Sequence, residues 1–128
     1  MTEKVRTSIV LSEEESAAIQ DVLADGCYIG FAEFSREAVR EFLEELEIIA
    51  SQICCLGTGP EQADEVRRRF IESCSYVHRV GIKQYTLYLP RRIAERFSEI
   101  RVSMNLSEFV RISTVTHARY LANGEVLL

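Results

Sequence analysis

The sequence predicts an α+β chain, mainly helical, in which one strand and two helices occur twice. Short segments that alternate apolar with polar residues stand at Lys4–Leu11 (KVRTSIVL) and Lys83–Leu89 (KQYTLYL), and each is followed at once by a helix-start signal. Further on, each copy carries the same Glu-Phe-x-Arg sequence, at Glu33–Arg36 and Glu108–Arg111. Setting Leu11 on Leu89 gives an offset of 78 residues and setting Phe34 on Phe109 gives 75. The three-residue difference falls in the first helix and its turn, where insertions cost least. One such unit is too small to bury a core alone, so the two are expected to fold on each other.

The bulk properties set the frame. The 128 residues are 47% hydrophobic, enough for one compact domain or two very small ones. No apolar run approaches the roughly 20 residues that span a bilayer, and MTEKVRTS lacks the apolar stretch of a signal peptide. The expected setting is therefore the cytoplasm, with no membrane partner, and Cys27, Cys54, Cys55 and Cys74 are expected to be thiols. The net charge of −5 is unevenly spread: residues 1–59 hold 4 Lys/Arg against 12 Asp/Glu, a net −8, and residues 60–128 hold 11 against 8, a net +3. That balance disfavours non-specific binding to a polyanion, so any nucleic-acid contact must be local.

Along the first copy, residues 5, 7, 9 and 11 (Val, Thr, Ile, Leu) share one strand face and residues 6, 8 and 10 (Arg, Ser, Val) the other. Ser12-Glu13-Glu14-Glu15 reads as an N-cap, an acidic first turn and a capping-box Glu. Ile19, Val22 and Leu23 form a narrow stripe that Gly26 terminates. A long amphipathic helix begins near Phe31, with Phe34, Ala38, Phe42, Leu46, Ile49 and Ile53 on one side and Glu37, Glu41, Glu44, Glu45 and Glu47 on the other. Leu56-Gly57-Thr58-Gly59-Pro60 is the clearest break.

A helix over about Glu61–Ser75 follows, belonging to neither repeat, with a stripe of Ala63, Val66, Phe70 and Cys74 beside Arg67, Arg68 and Arg69. In the second copy Tyr85, Leu87 and Leu89 oppose Gln84, Thr86 and Tyr88 across the strand, Pro90 opens a helix carrying Ile93, Phe97 and Ile100, and Asn105 with Glu108 reads as a second capping box. The last helix runs from about Leu106 to Ala122, before Asn123-Gly124. The expected organisation is a first repeat at 1–53, a linker with an extra helix at 54–81, and a second repeat at 82–128.

In this order the elements resemble the ribbon-helix-helix regulators of Arc and MetJ type. The likeness rests on strands ending in Leu11-Ser12 and Leu89-Pro90, a first helix, a turn, and Ser107-Glu108-Phe109-Val110-Arg111 opening the second helix, matched by Ala32-Glu33-Phe34-Ser35-Arg36 in the first copy. It covers about two thirds of the chain, leaving out about Glu47 to Arg79. The resemblance implies a single-chain pseudo-dimer whose two strands pair antiparallel into a ribbon that enters the DNA major groove, either within one chain or exchanged between two. It places the base contacts on Arg6, Ser8, Val10, Gln84, Thr86 and Tyr88. Arg suits guanine O6 and N7, Gln suits adenine N6 and N7, and Thr or Val suits a thymine methyl. Phosphate contacts fall on Lys4 and Lys83 and on the helix N-termini at Gly30-Phe31 and Asn105-Leu106. Unequal half-ribbons favour an asymmetric target over a palindrome. At the matching offsets Glu15 falls on Ile93, and His117 falls on Phe42.

Other readings compete. Arg67-Arg68-Arg69 on a helix is more often a solvated face than a phosphate clamp. Cys74 and His78, with Cys54, Cys55 or His117, make an incomplete zinc pattern, so neither metal nor cofactor is expected. Gly57-x-Gly59 follows a helix and lacks the Lys-Ser/Thr of a phosphate loop. No nucleophile and base stand out, so the expected role is binding and not catalysis. The leading expectation is a sequence-specific regulator of transcription, a repressor, with double-stranded DNA as partner and a homodimer formed through helices if the 61–75 stripe is exposed. The alternative is a protein-interaction module or antitoxin-like protein of the same fold with weak or no DNA binding.

Overall fold

Strict alternation of apolar and polar residues needs a surface with one dry side, and the two alternating segments supply it for each other. In the computed structural model, which describes residues 4–26, 28–55, 60–74, 83–100 and 104–123, β1 (Lys4–Leu11) and β2 (Lys83–Pro90) pair antiparallel as a two-stranded ribbon. Thr7, Ile9, Leu11, Leu87 and Leu89 are buried beneath it. A lone ribbon is marginal in water, so its dry face must be covered. Five helices among the described residues do this: α1 (Glu13–Ala24), α2 (Phe31–Cys55), α3 (Pro60–Cys74), α4 (Arg91–Ile100) and α5 (Leu106–Asn123). None is long and apolar enough to cross a membrane.

The helix boundaries follow local chemistry. Ser12 Oγ accepts the Glu15 N–H at 3.2 Å and Glu15 Oε1 accepts the Ser12 N–H at 3.0 Å, the capping box expected for α1. Just past the α1 C-cap, Asp25, Gly26 takes φ +78°, which an L side chain adopts only under strain. At α5 the expected second box is half formed. Asn105 Oδ1 accepts the Glu108 N–H at 2.8 Å, but the Glu108 carboxylate turns to Arg111, because a guanidinium only 4% exposed needs charged partners more than a surface N–H does.

The core lies between the ribbon and two long helices, α2 and α5. α2 buries Phe34, Ala38, Val39, Phe42, Leu43 and Leu46 and leaves Glu41, Glu44 and Glu47 exposed, with Glu37 and Glu45 half-exposed. α5 is the most enclosed element: every residue from Phe109 to Ala118 is buried, among α1, α2, α3 and β1. Two of its hydroxyls turn back onto the helix, Ser113 Oγ to Phe109 O at 2.8 Å and Thr114 Oγ1 to Val110 O at 2.7 Å, whereas Thr116 Oγ1 is buried without a hydrogen-bond partner. Where α2 meets α5, Ser35 and Thr114 share a buried hydroxyl contact of 2.7 Å.

The extra helix belongs to this same core. The stripe expected on α3 is rotated: Val66 is 40% exposed, whereas Ile71, absent from that stripe, is 1% exposed and Phe70 packs on Phe42 with ring centroids 5.5 Å apart. Burying Ile71 contributes roughly 2 kcal/mol, so α3 closes the side of the α2–α5 pair. The side chains of Ala63 and Cys74 lie outside the described residues, as do Gly57, Gly59, His78 and Arg79.

Candidate nucleic-acid interface

Three cross-strand pairs form the outer face of the ribbon: Arg6 opposite Tyr88, Ser8 opposite Thr86, and Val10 opposite Gln84. All six sequence-predicted base-contact residues therefore lie together on one face. Arg6, Val10, Gln84, Thr86 and Tyr88 are exposed and Ser8 is half-exposed. Ser8 and Thr86 touch through their hydroxyls at 3.1 Å, which ties the centre of the face. The row presents a guanidinium, a phenol, two hydroxyls, an amide and a branched aliphatic group, a set able to donate, accept and make apolar contact at base edges.

The outer edges of a two-stranded ribbon carry unpaired carbonyls, which need donors. Ser107 Oγ, in the first turn of α5, donates to the Ser8 carbonyl. Arg36 Nη1, from α2, donates to the Tyr88 carbonyl at 3.4 Å. The N-terminus of α2 is further held by Phe31, whose ring stacks on Tyr85 at 4.3 Å, while the Tyr85 hydroxyl meets Ser16 Oγ at 2.7 Å. Helix N-termini thus flank both edges. Arg36, Ser107 and Tyr85 are not among the site residues the sequence points to; for Arg36 the recurrence of Glu-Phe-x-Arg in both copies is a signal, and for Ser107 and Tyr85 there is none.

The expected phosphate positions are distributed as follows. Lys4 and Lys83 are both exposed but stand at opposite ends of the ribbon, Lys4 opposite Pro90 and Lys83 opposite Leu11. Gly30, Phe31 and Leu106 are half-buried and Asn105 is exposed. Part of the N–H array at each terminus is already used: Glu33 Oε2 accepts the Ile29 N–H at 3.1 Å, and Asn105 caps Glu108.

Beyond the ribbon, two buried side chains of α5, Arg111 and His117, stand beside carboxylates. Arg111 is paired with Glu15, itself 11% exposed, and at 3.0 Å with Glu108. His117, 6% exposed, sits with Nδ1 3.4 Å from Glu41 Oε2 and Nε2 4.0 Å from Glu37 Oε2. The arginines of α3 are matched within their own helix, Arg67 to Asp64 at 2.5 Å and Arg68 and Arg69 to Glu65 at 2.5 and 3.1 Å. The Arg68 hydrogen bonds, with smaller help from Arg69, hold the Glu65 carboxyl below the usual glutamate range. A clamp made of these arginines would have to give up those pairs. Among the described residues no three His, Cys, Asp or Glu side chains stand so as to hold a metal ion.

Comparison with models of protein families, with curated proteins and with solved structures returned no match.

Proposed function

We propose that the chain is a tandem ribbon-helix-helix protein that binds double-stranded DNA sequence-specifically as a transcriptional repressor, reading the major groove with the outer face of its ribbon. The observation that carries this reading is the register. Ser8 and Thr86 are the same position of the two copies at the offset of 78, and they are opposite each other. The ribbon is therefore centred where an approximate two-fold axis relating the copies would pass. The core supports the same relation: Phe34 packs on His117 at 5.4 Å and Phe42 on Phe109 at 5.5 Å, and at the offset of 75 these two pairs exchange into each other. A pseudo-dimer of this kind presents two strands about 5 Å apart, which a major groove about 12 Å wide admits.

In this role Arg6 reads guanine, Gln84 reads adenine, Val10 and Thr86 meet thymine methyl groups, and Ser8 and Tyr88 complete the row. Lys4, Lys83 and the helix N-termini at Gly30-Phe31 and Asn105-Leu106 set the protein against the backbone. The test is selection of bound fragments from a random double-stranded DNA pool, followed by titration with wild type and with the Arg6→Ala/Gln84→Ala double variant. The expected result is enrichment of one motif and its loss in the double variant. No enrichment at low salt refutes the reading and leaves the fold as a protein-interaction module.

A further inference from the structure

Charge along the ribbon divides by end, and this division differs from the one along the chain. Antiparallel pairing puts the start of β1 beside the end of β2, so Lys4 and Arg6 from the acidic first half stand at the same end as Arg91 and Arg92, which follow directly on Pro90. Arg36 joins them through its bond to the Tyr88 carbonyl. At the opposite end, Leu11 and Lys83 are paired, and the exposed Lys83 is outnumbered by Glu13 and Glu14, both exposed, into which the chain continues from Leu11.

The two arginines that match at the offset of 75 show how the difference arises. Arg111 is 4% exposed and taken up by Glu15 and Glu108. For Arg36 the residue matching Glu15 is Ile93, and the residue matching Glu108 is Glu33, whose carboxylate caps Ile29 instead. Among the described residues no carboxylate pairs with Arg36. Arg91 does have a carboxylate, Glu95 at 3.4 Å, so Lys4, Arg6, Arg36 and Arg92 carry the local excess.

From this we infer that the ribbon grips the DNA backbone more tightly at one end than at the other. The Arg6–Tyr88 end, with Lys4, Arg36 and Arg92, takes most of the phosphate contacts, and Glu13 and Glu14 weaken the contact that Lys83 makes at the Val10–Gln84 end. This rests on the DNA-reading function proposed above and adds its polarity. Eight residues at about 3.3 Å each separate the ends by about 23 Å, against a Debye length of about 8 Å at physiological salt. The acidic end therefore does not cancel the field of the basic one. The target has one tightly held half, with backbone contacts displaced to one side of the bases that are read.

The experiment uses the whole chain and the fragment enriched from the random pool. Phosphate-ethylation interference with wild-type protein is expected to mark phosphates clearly more strongly on one side of the motif. Arg92→Ala is expected to lower affinity about tenfold at physiological salt and to reduce the slope of log affinity against log salt by about 0.9, the loss of one phosphate contact. Glu13→Gln/Glu14→Gln is expected to raise affinity several-fold on the same motif. Interference of equal strength on both sides, or an Arg92→Ala variant with unchanged slope, overturns the polarity while the selected motif keeps the ribbon reading intact. Failure of wild type to enrich any fragment overturns both.

Discussion

Replacing Arg111 by Met, alone and together with Glu15→Ile, tests how much the folded state depends on the buried charge that joins α1 to α5. Arg111 is 4% exposed and Glu15 11%, and Glu15 also keeps its other oxygen on the Ser12 N–H. Breaking a fully buried pair from one side costs about 3–5 kcal/mol. Here the residual hydrogen bond to Ser12 and the half-exposed Glu108 soften that, so Arg111→Met is expected to cost about 2 kcal/mol. Glu15→Ile, which installs the residue at the matching place in the second copy, loses half of the capping box, about 1 kcal/mol, and takes from Arg111 its more buried carboxylate, about 1.5 more.

In the double variant the charges are gone together and apolar groups fill the space. Only the cap and some misfit remain, about 1.5 kcal/mol, which makes the coupling about 3 kcal/mol. Urea unfolding followed by circular dichroism, with all four proteins in one cycle, measures this directly. Thermal midpoints should fall by about 8 °C for Arg111→Met and by no more for the double variant, at about 4 °C per kcal/mol. Additive single effects, within about 0.5 kcal/mol, would refute the claim that these two side chains form one buried unit.

Further outcomes follow from the same packing. His117→Phe keeps a ring against Phe34 and removes a buried nitrogen that has no hydrogen-bond partner, so stability should change by no more than about 1 kcal/mol, whereas His117→Ala should cost about 3. If Phe is as costly as Ala in urea unfolding, then the two carboxylates, and not ring packing, secure this position. Ile71→Ala should cost about 3 kcal/mol and Val66→Ala less than about 0.5, a contrast that a detached linker helix would not produce. Glu65 should titrate below an ordinary glutamate by NMR, and Arg68→Ala should move its midpoint up. Because the folded-state value is the lowered one, what these surface pairs add is present above the ordinary glutamate pKa and lost as pH falls through the lowered one.

Strand and helix placement was legible because it depends on near neighbours in the chain. Alternation marked Lys4–Leu11 and Lys83–Leu89, and the observed strands differ by one residue, Pro90. Ser12 with Glu15, Gly26 and Asn105 marked helix ends through hydrogen bonds and backbone angles that span only a few residues. The grouping of the six outward ribbon residues was also legible, since their alternation and the internal repeat are both sequence properties. No repeat, however, specifies what covers a helix. Arg111, Ser113, Thr114, Thr116 and His117 carry polar groups, yet all are buried, because α1, α2, α3 and β1 surround α5.

The same limit applies to α3, where Val66 looked like a core position and Ile71 did not. Only the seating of that helix against Phe42 decides which side is dry. By itself the sequence determined the elements, their ends and the face each strand offers, since these arise from local torsions and periodicity. The tertiary structure decided which charges share an end of the ribbon: antiparallel pairing brings Lys4 beside Arg91 and Arg92 across 87 residues of chain, and burial beside Glu15 withdraws Arg111 while Ile93 leaves Arg36 at the edge. Electrostatic fields depend on distance in space, and that distance exists only once the chain is folded.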